Sequence, residues 1–202
     1  MAKGPELIQK YFPELSDEQS KLFLRAADLY MEWNSKVNVI SRKDMDYFFE
    51  RHVLHSLSIL KVAMLRGRVM DLGSGGGFPG IPLAIMLPDV QFVLVDSIAK
   101  KCRVMLEIVE ELGLKNVKVI NGRAEDVEGT FDVVVCRAVA PLRTLLHWVE
   151  NTIKKGGTMY CLKGGDLDEE IKEAQVKAKD YAISEWFEGE FFETKKEVTV
   201  KC

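Results

Sequence analysis

A chain of 202 residues, 47% hydrophobic and 29% charged, has room for one α/β domain of ordinary size with a small helical extension. No stretch approaches the ~20 apolar residues of a membrane span, no apolar leader opens the sequence, and the four cysteines (Cys102, Cys136, Cys161, Cys202) form no CxxC pair, so a metal-free, disulfide-free chain in a reducing cytoplasm is expected. The formal net charge of -3 argues mildly against a polyanionic partner, although cations gather at Arg42, Lys43, Arg51, His52, Lys61, Arg66 and Arg68 and again at Lys100, Lys101 and Arg103.

Residues 1–63 read as a helical extension. Ser16-Asp17-Glu18-Gln19 has the form of a capping box, with Ser16 as the N-cap. Leu22, Phe23, Ala26, Leu29, Tyr30 and Trp33 then recur at helical spacing, and Asn34 offers a stop. Phe48, Phe49, Val53, Leu57 and Leu60 predict a further helix over 45–63.

Residues 64–202 change period. Short apolar runs at 68–71, 91–96, 117–121, 131–136 and 158–162 alternate with helical stretches, which predicts a mostly parallel, doubly wound sheet. One helix spans Ser97 to Leu112 and stops at Gly113, and another spans Leu142 to Ile153, with His147 and Trp148 as packing residues. The tail from Tyr181 to Lys201 suits an antiparallel edge hairpin turning at Glu188-Gly189-Glu190.

The segment Val69-Met70-Asp71-Leu72-Gly73-Ser74-Gly75-Gly76-Gly77-Phe78-Pro79-Gly80 carries the chemistry. A strand runs into a glycine turn and then a helix, which offers free N–H groups and a partial positive charge to a nucleotide-like or carboxylate-bearing ligand. Gly75 to Gly80 matches G-x-G-x-x-G literally, so a dinucleotide is one reading. Its register is poor, because a fingerprint begun at the strand end would put its third glycine on Phe78. Asp71, Gly73, Gly75 and Gly77 instead meet D-x-G-x-G-x-G, which resembles the first motif of Rossmann-like methyltransferases. Asp96 ends the second strand, where a carboxylate can take ribose hydroxyls or cap the next helix. The loop Asn121-Gly122-Arg123-Ala124-Glu125 follows the third strand, where this fold borders an adenine.

Further motifs occur in order: Tyr30-x-x-Trp33-Asn34-x-x-x-Asn38, Arg51-His52-x-Leu54-x-Ser56-Leu57, Gly77-Phe78-Pro79-Gly80-Ile81-Pro82-Leu83, Asp96-Ser97-x-x-Lys100-Lys101, Gly122-Arg123-Ala124-Glu125, Arg137-Ala138 and Leu162-Lys163-Gly164. Together they resemble the RsmG (GidB) family of bacterial 16S rRNA guanine-N7 methyltransferases over residues 28–165. The resemblance implies a class I methyltransferase fold, S-adenosylmethionine as cofactor, and 16S rRNA or the small ribosomal subunit as partner. It implies a cofactor site of Gly73, Gly75, Phe78, Asp96, Ala124, Glu125 and Arg137. Two positions depart from the family pattern: His55 stands where Asp is usual, and Cys136 where a Ser often precedes Arg-Ala.

Guanine N7 carries a lone pair and no proton, so no acid or base is expected among the catalytic residues, and Arg137 is the candidate for positioning. The chain lacks the Asn/Asp-Pro-Pro-Tyr/Phe motif of amine methylation and the Pro-Cys motif of pyrimidine C5 methylation. Arg51 and His52, in the extension, and Lys163, after the fifth strand, are the candidates for contact with RNA. A monomer is expected. A methyltransferase of small molecules or proteins and a non-catalytic rRNA-binding assembly factor are the competing readings.

Overall fold

The computed structural model describes residues 4–202; Met1–Lys3, the first part of the leader-free reading and of the 1–63 extension, lie outside the described residues. Seven strands form one sheet: β1 (Arg68–Leu72), β2 (Gln91–Asp96), β3 (Val117–Asn121), β4 (Phe131–Arg137), β5 (Ile153–Gly164), β6 (Ala178–Ala182) and β7 (Lys195–Lys201). Their spatial order is β3-β2-β1-β4-β5-β7-β6. The first five are parallel, and β7 runs antiparallel to both β5 and β6. The central strands are buried at nearly every position, as apolar runs covered on both faces must be. Chain order reverses beside β1, between β2 and β4, and so opens a crevice at the carboxyl ends of these strands.

Helices α4 (Gly80–Met86), α5 (Ala99–Glu111), α6 (Leu142–Val149) and α7 (Asp168–Ala174) follow the parallel strands. Helix α6 stops at Val149, short of the expected Ile153, because Ile153 already pairs with Phe131 in the sheet. The edge strands are antiparallel as expected, but Glu188-Gly189-Glu190 is not a tight hairpin turn. The connection holds a 3-10 turn (Ile183–Glu185) and helix α8 (Glu190–Glu193), which bury Ile183, Phe187 and Phe192.

The extension packs its apolar side chains into the same core as one face of the sheet, Ile8, Phe23 and Leu57 joining Ile81, Phe92 and Ile108. Helix α1 covers Pro5–Tyr11 and α2 Asp17–Lys36. The capping box at α2 is complete: Ser16 accepts from the Gln19 N–H, and the Gln19 side chain accepts from the Ser16 N–H. Asn34 does not end α2, which continues to Lys36. Its amide instead folds back on the following chain, taking the Val39 and Ile40 N–H groups at 2.9 Å and giving one to the Ile40 carbonyl. The helix expected over 45–63 is a mixed segment of 3-10 turn (Arg42–Tyr47), π-helix (Phe48–Leu54), one α-turn, α3 (His55–Leu57), and a closing 3-10 turn (Ser58–Lys61). Every residue from His52 to Ile59 is buried, so the segment has no polar face to select α-helical periodicity and its packing sets its pitch.

At the amino ends of the strands Asp132 of β4 joins its two neighbours. Its carboxylate accepts from the Arg68 N–H at 2.9 Å on β1 and meets Lys154 Nζ at 2.5 Å on β5. The hydrogen bond from Lys154, and then that from Arg68, hold its carboxyl below the usual range.

Candidate active site

The glycine turn is fixed from below by two carboxylates. Asp71, buried at the end of β1, accepts from the Gly80 N–H at 2.8 Å and so starts α4. Its other oxygen has no described partner, and burial pushes the group up to about 7. Asp96, at the end of β2, accepts from the Gly75 N–H and the Ile98 N–H, each at 2.8 Å. It therefore caps the approach to α5 and pins the turn at once, while each oxygen keeps a second lone pair. Within the turn the Ser74 carbonyl takes the N–H groups of Gly77 and Phe78. Gly77 has φ +96°, and a Cβ there would lie 2.5 Å from Ile81 Cδ1 and 3.0 Å from the Tyr30 hydroxyl, so no larger residue fits.

A cavity of about 380 Å³ opens above this turn at the carboxyl edge of the sheet. Gly73, Gly75, Phe78, Asp96, Ala124, Glu125 and Arg137, drawn from four stretches of sequence, all line it. Val39, Ile98, Lys101, Arg123 and Trp148 line it too. Trp148 reads as ordinary packing in the helical pattern of α6, and Val39 has no signal in the apolar period; the fold-back of the Asn34 amide onto residues 39–40 sets the chain there. Lys101 belongs to a basic run whose sequence does not say which face it serves.

Arg137 ends β4, and the next residue, Ala138, turns the chain in the left-handed region at φ +50°. The guanidinium donates to the Arg51 carbonyl at 3.3 Å and lies 3.1 Å from His52 Nδ1. Its Cζ sits 4.8 Å from the centre of the Phe78 ring. No carboxylate of the described residues is in ion-pair distance. Burial lowers its pKa to about 10, with the Asp71 charge opposing, so it remains cationic at neutral pH.

The three residues expected to meet RNA have protein partners instead. His52 is enclosed, its ring centre 5.1 Å from Phe78, and burial followed by the Arg137 charge lowers it to about 3. Arg51 pairs with Asp44 at 2.5 Å and stacks 4.0 Å over Tyr47. Lys163 bonds Glu170 at 2.6 Å and the Ala140 carbonyl at 2.9 Å, and Glu170 in turn takes the Leu142 N–H, so this pair secures the start of α6. By contrast Arg42, Lys43, Lys100, Lys101, Arg103 and Arg123 enter no ion pair with a described residue. His55 is buried against Phe191, with ring centres 5.3 Å apart, and burial lowers it well below its ordinary value. Cys136 is buried in β4 beside Cys161 of β5, a packing position. No group of three or more His, Cys, Asp or Glu among the described residues could hold a metal ion, and no described helix is long and apolar enough to cross a membrane.

Strand order, switch-point cavity and strand-end acid define a Rossmann-like, S-adenosylmethionine-dependent methyltransferase. Solved structures share the fold: a SAM-dependent methyltransferase from Aquifex aeolicus at TM-score 0.57 and 17% identity, covering 72% of this chain and 88% of its own, and a ribosomal protein L11 methylase from Lactobacillus delbrueckii subsp. bulgaricus at TM-score 0.57 and 17% identity, covering 73% and 76%. Within that class the chain belongs to the GidB family, rRNA small subunit methyltransferase G, whose model matches residues 19–197. Proteins of that name from Bacteroides thetaiotaomicron and Christiangramia forsetii are 52% and 48% identical, each over 96% of this chain and over 98% and 95% of their own lengths.

Proposed function

We propose that the chain transfers the methyl group of S-adenosylmethionine to N7 of a guanine in a loop of 16S rRNA near the decoding centre. The observation that carries this reading is the convergence of the family's motif residues on one switch-point cavity that holds a cation with no protein carboxylate to neutralise it. The donor set suits the cofactor. Arg137 would bind its carboxylate or the O6 of the target guanine, Asp96 its ribose, and Ala124 and Glu125 its adenine, with Gly73, Gly75 and Phe78 beneath the methionine side. When bound, S-adenosylmethionine supplies an electrophilic methyl on a sulfonium. The guanine brings a lone pair in its plane and no proton, so the residues of the chain act by orienting and enclosing the reactants. The Gly75 and Gly77 N–H groups are already bonded within the protein.

In this reading the methyltransferase domain is residues 64–202, and the extension, residues 1–63, orients the RNA. The chain acts as a monomer in the cytoplasm, where small subunits are found. The cations at the cavity mouth, Lys101 and Arg123, with Lys100 and Arg103 on α5, are the RNA phosphate contacts. They take the place of Arg51, His52 and Lys163, which bond to the protein. A loop target keeps the cost of exposing the base to a few kcal/mol.

The test is mapping of N7-methylguanine in 16S rRNA from cells with and without the protein, together with labelled cofactor offered to free rRNA, to small subunits and to a metabolite or protein pool. Loss of one N7-methylguanine in the cells, and label in RNA, are expected. Label in a metabolite or protein would establish the competing methyltransferase reading, and RNA binding with no label anywhere the assembly-factor reading.

A further inference from the structure

The glycine turn is also held from outside the methyltransferase domain. Tyr30 of α2 is buried, and its hydroxyl donates to the Gly76 carbonyl at 2.5 Å. The Gly77 N–H of the same peptide unit donates to the Ser74 carbonyl at 2.8 Å, so the Gly76–Gly77 peptide is fixed at both ends. Two units earlier, in the Ser74–Gly75 peptide, the Gly75 N–H is fixed by Asp96. Between these two lies the Gly75–Gly76 peptide, whose carbonyl and N–H bond to no described residue, and both glycines line the cavity. Two pinned units thus flank one that is open to a ligand.

The ring of Tyr30 extends the same support. Its centre lies 4.9 Å from that of Phe78 and 5.3 Å from that of Phe48. Phe78 in turn carries Arg137, 4.8 Å from its ring centre. Tyr30 does not line the cavity itself.

We propose that Tyr30 is a positioning residue of the methyl-transfer site: through its hydroxyl it sets the Gly76–Gly77 peptide, and through its ring it sets Phe78, so that the open Gly75–Gly76 peptide and the Arg137 guanidinium face the cofactor together. The helical extension then acts on cofactor binding as well as on RNA. This role rests on the cavity being the cofactor site. Burial holds the phenol well above its ordinary pKa, so the hydroxyl remains a donor throughout the working range of pH.

The experiment is isothermal calorimetry of the full chain with S-adenosylmethionine and with S-adenosylhomocysteine, for wild type, Tyr30→Phe and Leu29→Ala, each where circular dichroism reports a folded protein. Tyr30→Phe keeps the ring and removes only the donor. Leu29→Ala, buried on the same helix, weakens packing and removes no hydrogen bond to the turn. The expected result is that Tyr30→Phe weakens both ligands about tenfold, the scale of one buried hydrogen bond, while its RNA affinity is unchanged, and that Leu29→Ala melts lower but binds both ligands as wild type does. Wild-type affinity in Tyr30→Phe, or an equal loss in Leu29→Ala, overturns the positioning role. Absence of binding by the wild type overturns the cofactor site itself, and this role with it.

Discussion

Arg137 and His52 form a one-way pair: the guanidinium Nη2 lies 3.1 Å from the imidazole Nδ1, and because a guanidinium offers only donors, Nδ1 accepts and the ring is neutral. The histidine is thus part of the seat that aims the arginine. Arg137→Ala is expected to weaken S-adenosylmethionine binding about 10- to 100-fold, the range for a hydrogen bond to a charged group of about 1.5–3 kcal/mol, with Arg137→Lys recovering part of it. Calorimetry that returned wild-type affinity for the alanine variant would remove Arg137 from the site.

The same seat sets a low-pH limit. His52 is lowered to about 3 and His55 well below its ordinary value, both chiefly by burial. A histidine held neutral by the fold contributes no penalty above its unfolded pKa, near 6.5, and destabilises the fold progressively as pH falls below it. Melting temperature should therefore drop below about pH 6, and His52→Gln should flatten that drop. An unchanged acid slope in the variant would show that the enclosed ring is not its source.

Glu197 predicts a slope of the opposite sign. It is buried in β7, where Thr199 is its one hydrogen-bond partner among the described residues, and burial raises it from 4.5 to about 8. The folded state holds this proton more tightly than the unfolded chain, so the contribution is favourable at low pH and turns into a cost as pH rises from about 4.5 through 8. Glu197→Gln should raise the melting temperature at pH 8 relative to wild type by several degrees, about 2–4 °C per kcal/mol at this size, and leave it nearly unchanged at pH 5. A variant no more stable at pH 8 than the wild type would contradict this.

For RNA, the contrast lies between free and engaged cations. Lys100→Ala with Lys101→Ala should weaken RNA binding across sequences and reduce its salt slope by about 2, one for each phosphate left without its lysine. Lys163→Ala should instead lower stability through Glu170 and leave the salt slope intact. The reverse pattern in filter binding at graded salt would return the RNA contact to Lys163.

Ser16→Ala should cost about 1 kcal/mol, since it opens a capping box whose two hydrogen bonds are both made. Thermal denaturation measures it, and cofactor affinity should not move. A melting temperature equal to that of the wild type would mean that tertiary packing alone holds α2.

Legibility in the sequence followed the range of the signal. Strands β1 to β4 and the capping box are local patterns of apolar period and side-chain chemistry, and they lie where the sequence puts them. Helix α6 fell short because β5 claimed Ile153, and the 42–61 segment leaves helical pitch around His52–Ile59, where burial goes all round; both are settled by what packs outside the segment. At the site, the residues at strand ends were readable because a parallel sheet carries every strand end to one edge. Val39, Trp148 and the Tyr30 hydroxyl were not, for each reaches the cavity or its turn by an approach across the fold that leaves no trace in local spacing. Arg51 and Lys163 show a related limit: a sequence displays a cation but not the Asp44 or Glu170 that pairs with it.

Asp132 gives the two rims of the sheet different tasks. One carboxylate clasps the starts of three strands, much as a rivet gathers the ribs of a fan. The opposite rim is thereby relieved of keeping the ribs in line, and can be built of tight glycine bends and a left-handed alanine that would make poor fasteners. The rivet lies at the far edge of the sheet from the ligand, so fastening and binding do not compete for the same residues.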